Sequence, residues 1–270
     1  MNMASQVELP VDIHAAPTPS LVFLVVAALF FAVSLWWAFR ERVRTGSWTA
    51  MMALAGGAIA SLQEPWINAS IMLWYPRNAP AVMFTAFDHP QPLYLHLIYP
   101  GFVGLGAYIV YRGLVSHPDG KLLMRTWWGI VLLDLAFEIP ATSLHAFRYY
   151  GPQPLQLADG TLPLWVPFIN ATGPLVGGVL IYLLHSRLRG KRRALLILAP
   201  PLGYAGVYGA VGWPVYTALN SDVPQSAREV AAIITMALCV SIVVAIRWTL
   251  SSNARQGLLT WPTSTTKGVQ

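Results

Sequence analysis

Three of the eleven Asp and Glu residues, Glu64, Asp134 and Glu138, stand in otherwise apolar surroundings. A charge at the bilayer centre costs about 2.5–3.5 kcal/mol even on insertion scales, so acids placed there face a protein interior or a wet cavity and are candidates for function. Asp134 and Glu138 are four residues apart and share a helical face. His145, seven beyond Glu138, falls near the same stripe, and His96 enters a neighbouring apolar run at similar depth. Burial disfavours the charged form of a carboxyl, so such an acid can hold a proton at neutral pH and act as a general acid while a second carboxylate acts as base. Many rings accompany the acids: Trp66, Trp74, Tyr75, Tyr149, Tyr150, Trp165, Trp213 and Tyr216. Their π-faces can stabilise a developing cation. Acid-initiated cyclisation of a lipophilic substrate fits this combination. Glu64 and Glu138 are then donor and acceptor in either order, tuned by Asp134, in a pocket shaped by Trp66, Asn68, Tyr75, His96, His145, Tyr149, Asn170, Trp213 and Tyr216.

Plainer roles exist for the same residues. Membrane acids also hydrogen-bond between helices, and rings also form interfacial belts. His96 and His145 lack the paired spacing of zinc ligands on a helix, so neither a metal nor another cofactor is expected. Cys239, the single cysteine, lies in an apolar run and offers no disulfide framework. Asn68-Ala69-Ser70 and Asn170-Ala171-Thr172 match the glycosylation pattern but fall inside apolar runs, which makes them pocket or helix-contact polars. The last apolar run has no lysine for a retinal Schiff base. A transporter or lipid-binding protein with proton-coupled acids is the rival reading, because hairpin repeats with membrane prolines also build alternating access.

The elements that must position these residues are membrane helices. The chain of 270 residues is 56% hydrophobic and only 10% charged, against about 25% charged in ordinary soluble domains. Apolar runs long enough to span a bilayer occur at 21–39, 48–75, 92–114, 123–150, 163–186, 194–219 and 227–250. The first is too long for a cleavable signal and is followed by Arg40, Arg42 and Arg44. With alternating loops, fourteen of the seventeen Lys and Arg residues fall on one side and only Arg77, Arg148 and Arg228 on the other. The rich side is cytoplasmic by the positive-inside rule. The expectation is an all-α integral membrane protein of seven transmembrane helices, one plus three hairpins, with the N-terminus outside and the C-terminus cytoplasmic. Residues 1–20 form an external segment, 21–250 the membrane domain and 251–270 a loose cytoplasmic tail. The basic loops set topology and can attract anionic lipid; they do not form a nucleic-acid patch. The expected partners are a lipophilic small molecule and membrane lipid, with oligomeric state open. At about 1.5 Å rise per residue, Glu64 and Glu138 each lie about 23 Å from the cytoplasmic end of their helix, with Asp134 about 6 Å deeper. That places a pocket near the outer side or outer leaflet.

An internal repeat strengthens this plan. Glu64-Pro65 is followed by Tyr75, and Glu138-Ile139-Pro140 by Tyr149, with eleven residues from Glu to Tyr in both; Trp213-Pro214 and Tyr216 occupy the corresponding place in the third hairpin without the acid. The descending helices of the first two hairpins are both rich in Gly and Pro at their outer ends. Gln63-Glu64-Pro65-Trp66-Ile67-Asn68 resembles the Gln-acid-Pro-x-x-Asn signature of the AveC-like spirocyclase proteins of actinobacteria. Asp134-Leu135-Ala136-Phe137-Glu138 with Tyr149-Tyr150-Gly151 looks like that family's Asp-x-x-x-Glu and Tyr-x-Gly segment. The likeness covers the second to fifth spans, with Glu64 where the family's signature carries Asp. It implies a membrane cyclase of a bacterial plasma membrane that dehydrates a dihydroxy-ketone polyketide to a spiroketal. The overall plan is also similar to the small seven-helix terpene cyclases of meroterpenoid pathways, whose membrane carboxylates protonate an epoxide or alkene.

Overall fold

A computed structural model describes residues 8–157 and 161–255. Lys267, most of the expected tail and the first seven residues of the expected external segment lie outside the described residues. Seven helical runs follow one another. The first is α1 (Pro17–Thr45). The second breaks into α2 (Thr49–Ala60), a 3-10 turn (Ser61–Gln63) and α3 (Glu64–Ile71). The third joins α4 (Leu93–Tyr99) through a π-helical segment (Pro100–Leu105) to α5 (Gly106–Ser116). Then come α6 (Leu123–Ser143) and α7 (Trp165–His185). A 3-10 stretch (Gly190–Leu198) leads to α8 (Ala199–Val211) and α9 (Trp213–Leu219), and α10 (Gln225–Arg255) closes the order. Prolines 65 and 214 stand in the first turn of the segments they open, where a missing N–H costs little. Pro100 instead lies within a continuous helical run and cannot donate to the preceding turn, and the run takes π form from there.

Among the described residues five helices are long and apolar enough to cross a membrane: Pro17–Thr45, Leu93–Ser116, Trp165–His185, Gly190–Val211 and Gln225–Asn253. The two other long runs, at 49–71 and 123–143, carry Glu64, Asp134 and Glu138. Helix α7 is the core of the bundle, burying Trp165, Ile169, Ala171, Leu175 and Ile181, whereas α1 and α10 expose Val22, Val25, Leu29, Val33, Val230, Ile233 and Ile234. Helices apolar all round suit a membrane setting.

The expected spans at 48–75 and 123–150 are too long. Their helices end at Ile71 and Ser143 because the backbone turns left-handed at Met72 (φ 56°) and His145 (φ 58°). Among the described residues six short strands follow, within a fold that is mostly helical, as expected of an all-α membrane protein. β1 (Leu73–Trp74) pairs antiparallel with β4 (Arg148–Tyr149), β2 (Val82–Ala86) with β3 (His89–Pro92), and β5 (Gln156–Leu157) with β6 (Leu162–Pro163). All six lie in the α3–α4 and α6–α7 connections and therefore cap the same end of the bundle.

The first two hairpins are related by a constant spacing of 74 residues. It matches Glu64 to Glu138, Tyr75 to Tyr149, Pro100 to Pro174, Gly104 to Gly178 and Tyr108 to Tyr182. Two contacts join residues at that same spacing: Trp74 pairs with Arg148 across β1–β4, and Tyr111 meets His185 at 5.2 Å between ring centres. Residues on a local two-fold axis must meet their own counterparts, so both contacts mark such an axis between the hairpins.

Close approach fixes the helix crossings. A Cβ on Gly203 would lie 2.6 Å from Gly177 Cα, and one on Gly57 would lie 2.7 Å from Gly104 N; small residues let membrane helices touch backbone to backbone. At the far end of α1, Glu41 is buried. It takes Arg44 at 2.8 Å, Arg112 at 2.6 Å and the Tyr108 hydroxyl at 2.9 Å. Arg44 and Arg112, counted above as topogenic charges, thus also neutralise a fourth interior acid.

Candidate functional site

Glu64 opens α3 immediately after the 3-10 turn, and Glu138 sits in the last two turns of α6 with Asp134 one turn before it. All three carboxyls are buried. The eleven-residue spacing acquires its meaning here. After each helix ends, the chain folds back as β1 or β4 and returns a phenol to the acid it has just left. Tyr75 donates to Glu64 Oε1 at 3.2 Å, and Tyr149 donates to Glu138 Oε2 at 2.9 Å. One hydrogen bond is built twice, at positions related by the 74-residue spacing.

Beyond this the two halves differ. Glu64 Oε2 is bonded to the hydroxyl of Tyr99, which lies 3.0 Å from that of Tyr204. Tyr204 and Tyr208 both donate to Asn170 Oδ1, the former at 3.1 Å. The Asn170 amide nitrogen faces the other way. It donates to Asp134 Oδ2 at 3.2 Å and to Glu138 Oε1 at 3.3 Å. A continuous polar chain therefore runs from Tyr75 through Glu64, Tyr99, Tyr204 and Asn170 to Asp134, Glu138 and Tyr149.

This chain forms one wall of a cavity of about 260 Å³. Phe23, Val26 and Phe30 of α1, Tyr94, Leu95 and Ile98 of α4, Phe102, Leu133, Phe137 and Phe147 supply most of the remainder. Leu73, Tyr75, Phe147 and Tyr149 belong to the strand cap and its flanks, so the cap roofs the cavity at that end of the bundle. The opening is lateral. Val26 and Leu133 line the cavity yet remain 45% and 52% exposed, which brings it to the surface between α1 and α6. A second cavity of about 180 Å³ shares Phe30, Phe102 and Leu133 and continues down the same cleft past Ser34, Gly106 and Ile109. The site is a laterally open slot with acids at its inner wall.

No family model, curated protein or solved structure matches this chain.

Among the residues expected from sequence, Glu64, Asp134, Glu138, Tyr75, Tyr149 and Asn170 meet at this cavity. The others do not line it. His145 lies beyond the end of α6 and is exposed, because the left-handed turn takes it off the Glu138 stripe. His96 turns aside to Ser61, its Nδ1 lying 2.8 Å from Ser61 Oγ. Trp66 and Tyr216 pack behind the wall against Tyr208, at 6.5 and 6.3 Å between ring centres. Asn68 is buried on α3 with no hydrogen-bond partner among the described residues. Trp213, 58% exposed, stands outside the site. Sequence reasoning missed Tyr99, Tyr204 and Tyr208. Tyr204 and Tyr208 carried a readable signal, since they are four apart and share a face of α8. Among the described residues no group of three His, Cys, Asp or Glu side chains is arranged to hold a metal ion.

Proposed function

We propose that this protein is an integral-membrane cyclase that closes rings in a lipophilic natural-product precursor, a terpenoid or a polyketide spiroketal precursor, by acid–base chemistry of its buried carboxyls. The observation that carries this reading is the placement of three carboxyls and their phenol and amide partners on one wall of an otherwise aromatic and aliphatic cavity that opens sideways at the level of the apolar helices. Such a slot admits a greasy chain from the membrane and presents only its polar end to the acids. The full arrangement we propose has seven spans, with the strand cap and N-terminus outside and the C-terminus cytoplasmic. It rests on the fourteen-to-three asymmetry of basic residues.

In the chemistry, a carboxylic acid protonates an oxygen of the precursor. As the C–O bond breaks, its electron pair stays on that oxygen. An alkene or hydroxyl of the same molecule attacks the electron-poor carbon and forms the ring bond. A carboxylate then takes the proton released. An epoxide-bearing precursor gives an isomer, whereas a dihydroxy-ketone loses water. Phe23, Phe30, Phe102 and Phe137 line the cavity, and aromatic faces stabilise a cation beside them. Removing a positioned general acid or base costs about 10²–10⁴-fold in rate. Membranes bearing wild type, Glu64→Gln or Glu138→Gln should therefore differ by that factor in product formed from prenyl-epoxide or dihydroxy-ketone substrates. Equal turnover in all three would exclude acid–base catalysis by these residues.

One observation favours a second reading. Two hairpins related by a two-fold between parallel repeats are also the plan of some transporters. Proton-coupled uptake into vesicles, abolished by the same two substitutions without any product, would select that reading instead.

A further inference from the structure

Glu64 and Glu138 occupy equivalent positions of the duplicated hairpins, yet their partners are not equivalent. The 74-residue spacing sets Asp134 against Ala60, Asn170 against His96 and Gly173 against Tyr99. The second copy has thus acquired an extra acid and an amide, and the first a second phenol. This asymmetry decides which glutamate carries the proton, and it does so through a count of hydrogens.

On the Glu64 side five close oxygen–oxygen contacts must each hold a hydrogen. They are Tyr75 to Glu64 Oε1, Tyr99 to Glu64 Oε2, Tyr99 to Tyr204, Tyr204 to Asn170 Oδ1, and Tyr208 to Asn170 Oδ1. The four phenols bring one hydrogen each, and an amide oxygen brings none. The Asn170 NH2 hydrogens are spent on the opposite side, on Asp134 and Glu138. The longer Tyr204–Tyr208 approach at 3.5 Å adds a demand, not a supply. Five contacts and four hydrogens leave one source for the fifth, the Glu64 carboxyl itself. Tyr208 and Tyr204 then donate to Asn170, Tyr99 donates to Tyr204, the Glu64 hydroxyl donates to Tyr99, and Tyr75 donates to the Glu64 carbonyl oxygen.

The other side needs no such addition. The two Nδ2 hydrogens of Asn170, one of them shared between Oδ1 and Oδ2 of Asp134, and the Tyr149 hydroxyl hydrogen serve all four contacts to Asp134 and Glu138. An amide nitrogen could not accept a carboxyl hydrogen in their place. The amide is held in this sense by two phenols behind it and two carboxyls in front, so Asn170 gives the whole chain its direction.

We infer that Glu64 is the resting proton donor of the site and that the Asp134–Glu138 pair is its proton acceptor, with Asn170 as the positioning residue that separates the two roles. The catalytic part of this assignment rests on the cyclase reading; the location of the proton does not. In a turnover the Glu64 proton passes to the substrate oxygen and leaves its electron pair on Glu64. The Asp134–Glu138 pair takes the proton that the closing ring releases. Return of one proton from the pair to Glu64 restores the starting state.

Infrared spectra of the purified protein in lipid nanodiscs at neutral pH, in H2O and in D2O, test the assignment without any substrate. Wild type should show a carboxylic-acid C=O band that shifts in D2O. Glu64→Gln should abolish it, while Glu138→Gln and Asp134→Asn retain it. Tyr99→Phe, which keeps the carboxyl but removes the phenol oxygen it bonds, should move the band to higher frequency, and Tyr149→Phe should leave it in place. A band absent from wild type, or one kept by Glu64→Gln and lost in Glu138→Gln or Asp134→Asn, would overturn the assignment. Loss of the band in Glu64→Gln together with undiminished turnover would uphold the position of the proton and reject its use in ring closure. Absence of product from wild type with the band present would uphold the position and reject the cyclase reading.

Discussion

Replacing Asn170 with leucine tests the polar wall at its pivot. The two side chains are similar in size, so the substitution removes polarity with little loss of packing. Asp134 then loses both of its contacts to the Asn170 amide, while Glu138 keeps Tyr149 and Tyr204 keeps Tyr99. A buried polar group left without a partner costs about 1–3 kcal/mol, and interhelical side-chain hydrogen bonds in membranes average about 0.6 kcal/mol. Tyr208 also loses its contact to Asn170, so one stranded acid and three weakened partners give about 4 kcal/mol, several hundredfold in the folding equilibrium. If the stranded acid is the main cost, removing it as well should recover most of the loss, because taking away both partners of a buried pair is nearly neutral. Asn170→Leu/Asp134→Leu should therefore lie within about 2 kcal/mol of wild type and above Asn170→Leu alone. Reversible unfolding of the four proteins in one lipid–detergent mixture measures this cycle directly. A double variant as unstable as the sum of its single changes would show that Asp134 and Asn170 are not energetically joined.

Other expectations follow from the same geometry. Tyr75→Phe and Tyr149→Phe each remove one phenol from an acid, and each should lower turnover by about tenfold, the equivalent of about 1.4 kcal/mol; steady-state rates that differ by orders of magnitude between them would break the repeat relationship. Gly203→Val should prevent α8 from seating on α7 and abolish a monodisperse peak in size-exclusion chromatography, whereas Gly209→Ala, which meets nothing within 4 Å, should behave as wild type. Leu133→Trp should narrow the lateral slot and raise KM more than it lowers kcat for a long-chain substrate. Glu41→Gln removes the charge that Arg44 and Arg112 pair with and should lower the unfolding midpoint with turnover unchanged.

The acids were legible in the sequence because a carboxylate inside an apolar run has few physical explanations. The repeat was legible too, in the paired Glu-to-Tyr spacing, but its geometry was not. Read as continuous helix, eleven residues set Tyr75 and Tyr149 some three turns from their acids. The chain instead reverses at Met72 and His145, and neither is the glycine or asparagine that would announce a left-handed residue. The same reversal removed His145 from the site and produced the strand cap. Tyr99 was hidden among eleven tyrosines, since nothing local distinguishes a phenol that reaches an acid 35 residues away. Glu41 stood among arginines that read as a stop signal, and its burial depends on Tyr108 and Arg112 from a helix distant in sequence.

The central claim is that the buried carboxyls turn over a lipophilic precursor, and purified protein in nanodiscs given one such precursor tests it most directly. Wild type should convert it to a ring-closed product identified by mass spectrometry and chromatography. Glu64→Gln and Glu138→Gln should still bind it, as a ligand-induced rise in melting temperature, but form product at least about a hundredfold more slowly. Product formed at the wild-type rate by both variants, or by neither the variants nor the wild type across prenyl-epoxide and dihydroxy-ketone substrates, would contradict it.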